Sequence, residues 1–248
     1  MAGMTLGKPT HACECLSGVW PWPPSGSSIP TNGIVILRGN ERVHRDLVAH
    51  INERRPALAC GKHLVPLRMK DLYVGHTEAK ALLVPARALP ALTRCELVLM
   101  AAPRTGDPPV NWINGPGPMK GPATPPWWET RADADHRRPL WTAPPQWAGQ
   151  PERGPECGMP DGWVSAKLSV PVADGEGPLL IHVFLDDGRE KNDFVIAPED
   201  GQIEVGYDMC GGAFELQEGR KYHLRMSAMD AAGNEATSPG KLSPFTLP

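Results

Sequence analysis

Leu216-Gln-Glu-Gly-Arg-Lys-Tyr222-His-Leu-Arg-Met-Ser-Ala-Met-Asp230-Ala-Ala-Gly-Asn234 is the stretch on which the fold turns. From Tyr222 to Ala228 apolar and polar residues alternate, with Tyr222, Leu224, Met226 and Ala228 on one side and His223, Arg225 and Ser227 on the other. A period of two with one apolar side predicts a half-buried strand. Gly233 and Asn234 tolerate the left-handed backbone, so Asp230–Asn234 is predicted to turn the chain. Working outward, Trp163–Val170 and Leu179–Leu185 alternate in the same way, and Asp186-Asp-Gly188 turns the second of them. Shorter strands are expected at Phe194–Ala197, Gln202–Tyr207, Phe214 and Leu242–Leu247. About seven short strands at this spacing predict a β-sandwich.

A leucine six residues ahead of a strand tyrosine, with a glycine turn between, resembles the approach to the penultimate strand of fibronectin type III and immunoglobulin-like domains. The resemblance implies a structural role for Leu216 and a buried Tyr222 whose hydroxyl bonds back to the upstream backbone. Asp-x-Ala-Gly-Asn is common in bacterial members of these families. Leu89, followed six residues on by Cys95 and then by Leu97 and Leu99, repeats the pattern 127 residues earlier, with cysteine where the tyrosine stands. Pro30-Thr-Asn32 before Ile34-Val-Ile-Leu37 resembles the opening of bacterial Ig-like domains. The chain is thus expected to be all-β, with two tandem immunoglobulin-like sandwiches at 29–102 and 140–248. An irregular segment, 1–28, precedes them, and a Pro/Gly/Trp-rich linker, 103–139, joins them. Val43, Leu47, Val48 and Ile51 share a helical face, but the same residues read equally as strand, loop and strand. The resemblance favours the latter, so Asp46–Arg54 is expected to be mostly non-helical.

Composition narrows the function classes. Twenty-five basic and 28 acidic residues give a net charge of -3, so no global field favours nucleic acid or an anionic membrane. No apolar run reaches the roughly 18 residues that a membrane span needs. Twenty-nine prolines and 26 glycines suit many short strands better than long helices. The six cysteines form no paired CxxC arrangement and are read as disulfides of an oxidising compartment. With the domain division above, Cys157 is expected to pair with Cys210 and Cys60 with Cys95, leaving Cys13 and Cys15. A secreted, periplasmic or cell-surface location follows. Met1–Pro9 is too short and polar for a signal peptide, although Thr10-His-Ala12 ahead of Cys13 carries suitable small residues, so a leader upstream is expected.

Chemical motifs are sparse. GxSxG, HExxH, P-loop and GxGxxG patterns are missing from the sequence, and no catalytic residue, cofactor or metal site is assigned. His182 and His223 fall on the polar sides of their strands and are read as solvated. Asp186, Asp187, Asp193 and Asp208 lack a calcium-loop pattern and are read as turn formers. Trp127 and Trp128 are adjacent, so on an extended segment they point to opposite sides. They are the candidate partner-binding residues, against the alternative that both lock the domain junction. Trp20-Pro-Trp22 is read as packing on the first domain. The expected function is a non-catalytic interaction module for a protein partner. A carbohydrate-binding or wall-associated accessory, motivated by eight tryptophans against three tyrosines, is the alternative, and an enzyme on a sandwich scaffold comes third.

Overall fold

The computed structural model describes residues 16–103, 109–114, 124–154, 163–173, 177–189, 191–207, 211–240 and 242–246. Strands account for nearly all of its regular structure. In the first half, β1 is Val19–Trp22, β2 Ser28–Ile29, β3 Val35–Asn40, β4 Pro56–Cys60, β5 His63–Val74, β6 Glu78–Pro85, β7 Arg94–Leu99 and β8 Trp127–Thr130. They hydrogen-bond in the order β1-β3-β6-β5-β4-β7-β8-β2. β5 lies mid-path and links its two parts. Its first residues pair with β4 and its last with β6, with a register shift between Met69 and Asp71. A bulge of this kind bends and twists a strand, and here it folds the path over one core. Val35, Leu37, Ala81 and Leu83 meet Leu58, Val65, Leu97 and Trp128 inside it.

Three features of this half depart from the sequence reading. Val19–Trp22, within the segment read as irregular, is an edge strand, and Trp127–Thr130, within the stretch read as linker, pairs with β7 and β2. Proline-rich composition concealed both strands. Helix α1 spans Glu41–Ala49 and a 3-10 turn follows at Ile51–Arg54, which corrects the expectation that Asp46–Arg54 would be non-helical. The 3.6-residue spacing prevailed because it buries Val48 and Ile51 in the core, whereas Val43 stays 48% exposed. Gly39 permits the close approach, since a Cβ there would lie 2.2 Å from the His44 carbonyl oxygen.

In the second half, β9 is Leu140–Trp141, β10 Gln146–Trp147, β11 Glu152–Gly154, β12 Trp163–Ser169, β13 Val172–Ala173, β14 Leu180–Asp186 and β15 Lys191–Ile196. β16 is Gln202–Gly206, β17 Lys221–Met229, β18 Glu235–Thr237 and β19 Phe245–Thr246. One layer is β10-β12-β11 with β16 beside β12; the other is β15-β14-β17-β18 with β19 beside β17. Leu168, Ile203 and Val205 of the first layer meet Ile181, Val183 and Met226 of the second. Both halves are sandwich-like, as the alternating strands predict.

Tyr222 is 3% exposed. Its hydroxyl accepts the Gln217 backbone N–H at 2.7 Å, and its ring stacks on Phe245 at 5.2 Å. Leu216 is buried in the same core. Tyr222→Phe would strand the Gln217 N–H and is expected to cost about 0.5–1.5 kcal/mol. Urea denaturation checks this, and an unchanged midpoint would deny the bond any role in stability.

The halves do not hang on a string. Ile34, Ile36, Tyr73 and Leu82 project from the outer side of β3, β5 and β6 into the core of the second half. β3 and β6 are therefore buried on both sides. The 230–234 turn docks at this junction. Asp230 Oδ1 accepts from the Ala232 and Asn234 N–H groups at 2.8 and 2.9 Å, and the Ala231 carbonyl accepts from Ile34 N–H at 2.8 Å. Asn234 Nδ2 reaches the Asp135 carbonyl at 3.2 Å. Gly233 takes φ +79°, and a Cβ there would sit 3.3 Å from Ile34.

Candidate functional site

Where the halves meet, a cleft of about 330 Å3 opens between β1, β3 and β6 on one side and β14–β16 with Tyr207, Gly211 and Gly212 on the other. Trp20 and Trp22 wall it. Both are half-buried, and alternation places both indoles on the outer side of β1 while Val19 and Pro21 turn inward. Their β3 partners are Arg38 for Trp20 and Ile36 for Trp22. Read from the sequence as packing residues, this pair faces a cavity instead, although Trp22 also touches the shared core.

The floor is ionic. Arg38, Glu78 and Lys80 lie on the same outer side of neighbouring strands, since Arg38 is the register partner of Lys80 and Glu78 stands two residues before it. Arg38 Nε forms an ion pair with Glu78 Oε2, and Lys80 Nζ lies 3.4 Å from Glu78 Oε1. Lys80 Nζ also donates to the Val195 carbonyl on β15 at 2.7 Å, and it lies over the Phe194 ring. A lysine directed at the free edge of a strand satisfies a carbonyl that the sheet leaves open. Arg38 lies against the Trp20 ring at 5.2 Å. A Cβ on Gly211 would come within 2.6 Å of Arg38 Nη2, so a larger residue there would push the guanidinium aside.

Burial pushes Lys80 down to about 8; Glu78 opposes the shift and Arg38 adds to it. For Glu78, burial alone would push the carboxyl up, but Lys80 and Arg38 together hold it below its usual range. The two shifts act at opposite ends of the pH scale. The unfolded chain holds the Lys80 proton between pH 8 and 10.5 while the folded chain sheds it, so stability rises with pH across that window. The contribution is complete above 10.5 and lost as pH falls through 8. Glu78 stabilises above its unfolded value of 4.5, and that contribution is lost as pH falls through its lower folded value. Chemical denaturation at stepped pH checks both. The alkaline rise should vanish in Lys80→Met, and its persistence there would remove Lys80 as the cause.

The residues singled out from the sequence fall elsewhere. Trp128 is fully buried in the first core, with Nε1 donating to the Pro23 carbonyl at 2.9 Å, so its ring lies neither at the surface nor at the junction of the halves. Trp127, on the opposite side, is half-buried beneath Arg94 at 4.0 Å. Cys60 and Cys95 are bridged, as expected, but between neighbouring strands of one sheet and on the core side beside Trp128. The immunoglobulin bridge instead joins two sheets. Cys13, Cys15, Cys157 and Cys210 lie outside the described residues, as does Asp208.

His182, read as solvated, is 8% exposed. Tyr73 from the first half covers its ring at 5.2 Å, and Nε2 bonds to Asp193 at 2.8 Å. Ser227 is its register partner on β17, yet the Ser227 hydroxyl and His182 Nδ1 make no bond to each other. Ser227 is 6% exposed and lines neither described cavity, so the three do not form an accessible nucleophile. Among the described residues no three His, Cys, Asp or Glu side chains are grouped to hold a metal ion.

No protein-family model and no curated protein matches the sequence. Among solved structures, the chain is similar to pullulanase type I from Bacillus subtilis str. 168 in complex with maltose. The TM-score is 0.25 at 10% identity, over 92% of this chain and 25% of that one. It is also similar to dimeric latent PorU from Porphyromonas gingivalis, with TM-score 0.31, 11% identity and 90% and 19% coverage. For the chicken CNTN1 FN1–FN3 domains the values are 0.28, 12%, 88% and 64%. The chain therefore spans a quarter or less of the pullulanase and PorU chains. Likeness at this level assigns neither family nor function. The reading rests on the cleft.

Proposed function

We propose that the chain is a non-catalytic binding module that takes a saccharide in the junction cleft. The observation that carries this is the pair of half-buried indoles, Trp20 and Trp22, on one side of β1 above a polar floor. Ring faces rich in C–H stack on indole, and charged side chains below supply the hydrogen bonds that fix orientation. Trp127 and Trp128 were the candidate contact surface for a protein partner, and burial of Trp128 withdraws half of it. A peptide would be expected to add to a free strand edge, but the edge of β1 resists it. Val19 N–H and C=O are already bonded to Asn111 and Ile113, and the next residue on that side, Pro21, has no N–H to offer.

The Cys60–Cys95 bridge supports a location outside the reducing cytoplasm. No helix among the described residues is long and apolar enough to cross a membrane. A glycan array followed by titration with tryptophan fluorescence tests the reading. Saccharide hits should quench emission, and Trp20→Ala or Trp22→Ala should weaken binding about two- to tenfold, the scale of a lost stacking contact. An array without hits, or hits that survive both substitutions, would overturn it.

A further inference from the structure

We infer that the ring stacked on Trp20 carries a carboxylate, so that the cleft selects acidic saccharides of the uronate class. This rests on the saccharide reading above and adds a charge and a position to it. Four charged side chains line the cleft: Arg38, Glu78, Lys80 and Glu204. The Glu204 carboxylate already accepts the Ser165 hydroxyl on the neighbouring strand. On the floor itself two cations share the one carboxylate within ion-pair distance, Glu78, while Glu204 keeps its own charge opposite Lys167 on the neighbouring strand. Lys80, the more deeply buried of the two, spends its donors on Glu78 and the Val195 carbonyl. Arg38 is the cation left facing the opening, with 38% of its side chain exposed against 6% for Glu78. A guanidinium offers five donors in a planar fork, and an ion pair through Nε leaves the terminal nitrogens for a planar anion.

Strand register supplies the position. Trp20 stands directly opposite Arg38, whereas Trp22 stands opposite the apolar Ile36. The two indoles are about 6.8 Å apart along the strand, so successive rings of one oligosaccharide fall beside different neighbours. The ring over Trp20 places its substituent beside the guanidinium. The ring over Trp22 meets Ile36 and is read without charge. Phosphate and sulfate esters can be gripped by the same fork, but they hold their charge one ester oxygen further from the ring, whereas a uronate carboxylate is bonded directly to a ring carbon. A carboxylate on the ring therefore fits best.

The test titrates the intact protein with trigalacturonate, its fully methyl-esterified form, a hyaluronan tetrasaccharide, neutral maltotriose, sulfated maltotriose and an acidic tripeptide. At least one free uronate is expected to bind ten or more times tighter than the neutral sugars. Arg38→Gln should abolish that preference. Because Arg38→Gln also removes a partner of Glu78, Gly211→Ala serves as a second variant that keeps every charge. Its Cβ displaces the guanidinium, and the acid preference should fall by a similar factor while neutral binding persists. Equal affinity for acid and ester overturns the inference but leaves the saccharide reading standing, as does a preference for acid that survives both variants. Binding of the peptide alone, or of no sugar, overturns both. Preference for a sulfated glycan over every uronate would retain the anion site and overturn the carboxylate.

Discussion

Glu78→Ala is expected to cost about 3–5 kcal/mol of folding stability, the range seen when one partner of a buried ion cluster is removed. The carboxylate is the single negative charge between two cations, and its side chain is only 6% exposed. Arg38 can turn toward water from its half-exposed position. Lys80 cannot, because its side chain is 10% exposed and tied to the Val195 carbonyl. The loss therefore falls on a buried ammonium without a counter-charge, which must deprotonate or break the junction. Glu78→Ala with Lys80→Met should recover much of the loss, since no buried cation then remains unpaired. Urea denaturation of the two variants decides the matter. A loss below about 1 kcal/mol for Glu78→Ala would place the cluster with exposed ion pairs, whose worth is small.

Removing the Cys60–Cys95 bridge, as Cys60→Ala with Cys95→Ala, is expected to cost about 4 kcal/mol on the chain-entropy account for a loop of this length. The sequence separation is 35 residues. The bridge closes the β4–β7 segment, which includes the long β5 and all of β6, so the unfolded chain regains freedom over two of the first half's eight strands. The two cysteines face each other across the ladder with Cα atoms 4.1 Å apart, on the core side with no exposure. Alanine at both sites also leaves a small void against Trp128, which adds to the loss. Reducing agent should lower the midpoint of the native protein toward that of the double variant while moving the variant itself much less. A native midpoint insensitive to the double substitution would deny the bridge a stabilising role.

The alternation of β12, β14 and β17 was legible because each strand sets polar residues between the apolar ones that line the core, and in β17 His223 and Arg225 stay exposed. Tyr222 was legible because a buried phenol needs a partner and the turn lies within reach. What composition hid was burial on two sides. Ile34-Val-Ile-Leu37 is a continuous apolar run, the signature of a strand covered on both faces, and Glu78-x-Lys80 places two charges inside an otherwise apolar strand. Together they mark a surface roofed by another layer, and a buried charge pair in such a place is a signal for a site. Helix α1 was readable from its own spacing, and the family resemblance pulled the expectation the other way. The cleft could not be assembled from sequence at all. Trp20, Arg38, Lys80 and Gly211 are brought together by strand register and by the docking of the two halves, neither of which leaves a mark on local composition.

The core that runs through β3 and β6 makes the molecule a single cooperative unit. Opening the second half uncovers Ile34, Ile36, Tyr73 and Leu82, so neither half has a low-energy way of coming apart while the other stays whole. Amide protons on β14 and on β6, far apart in the chain, should then exchange through the same large opening, as members of one foldon. The cleft lies on that same shared layer, lined by Ile36 from one half and Leu180 from the other. A ligand entering it meets walls already in place, with little ordering left to be done on binding.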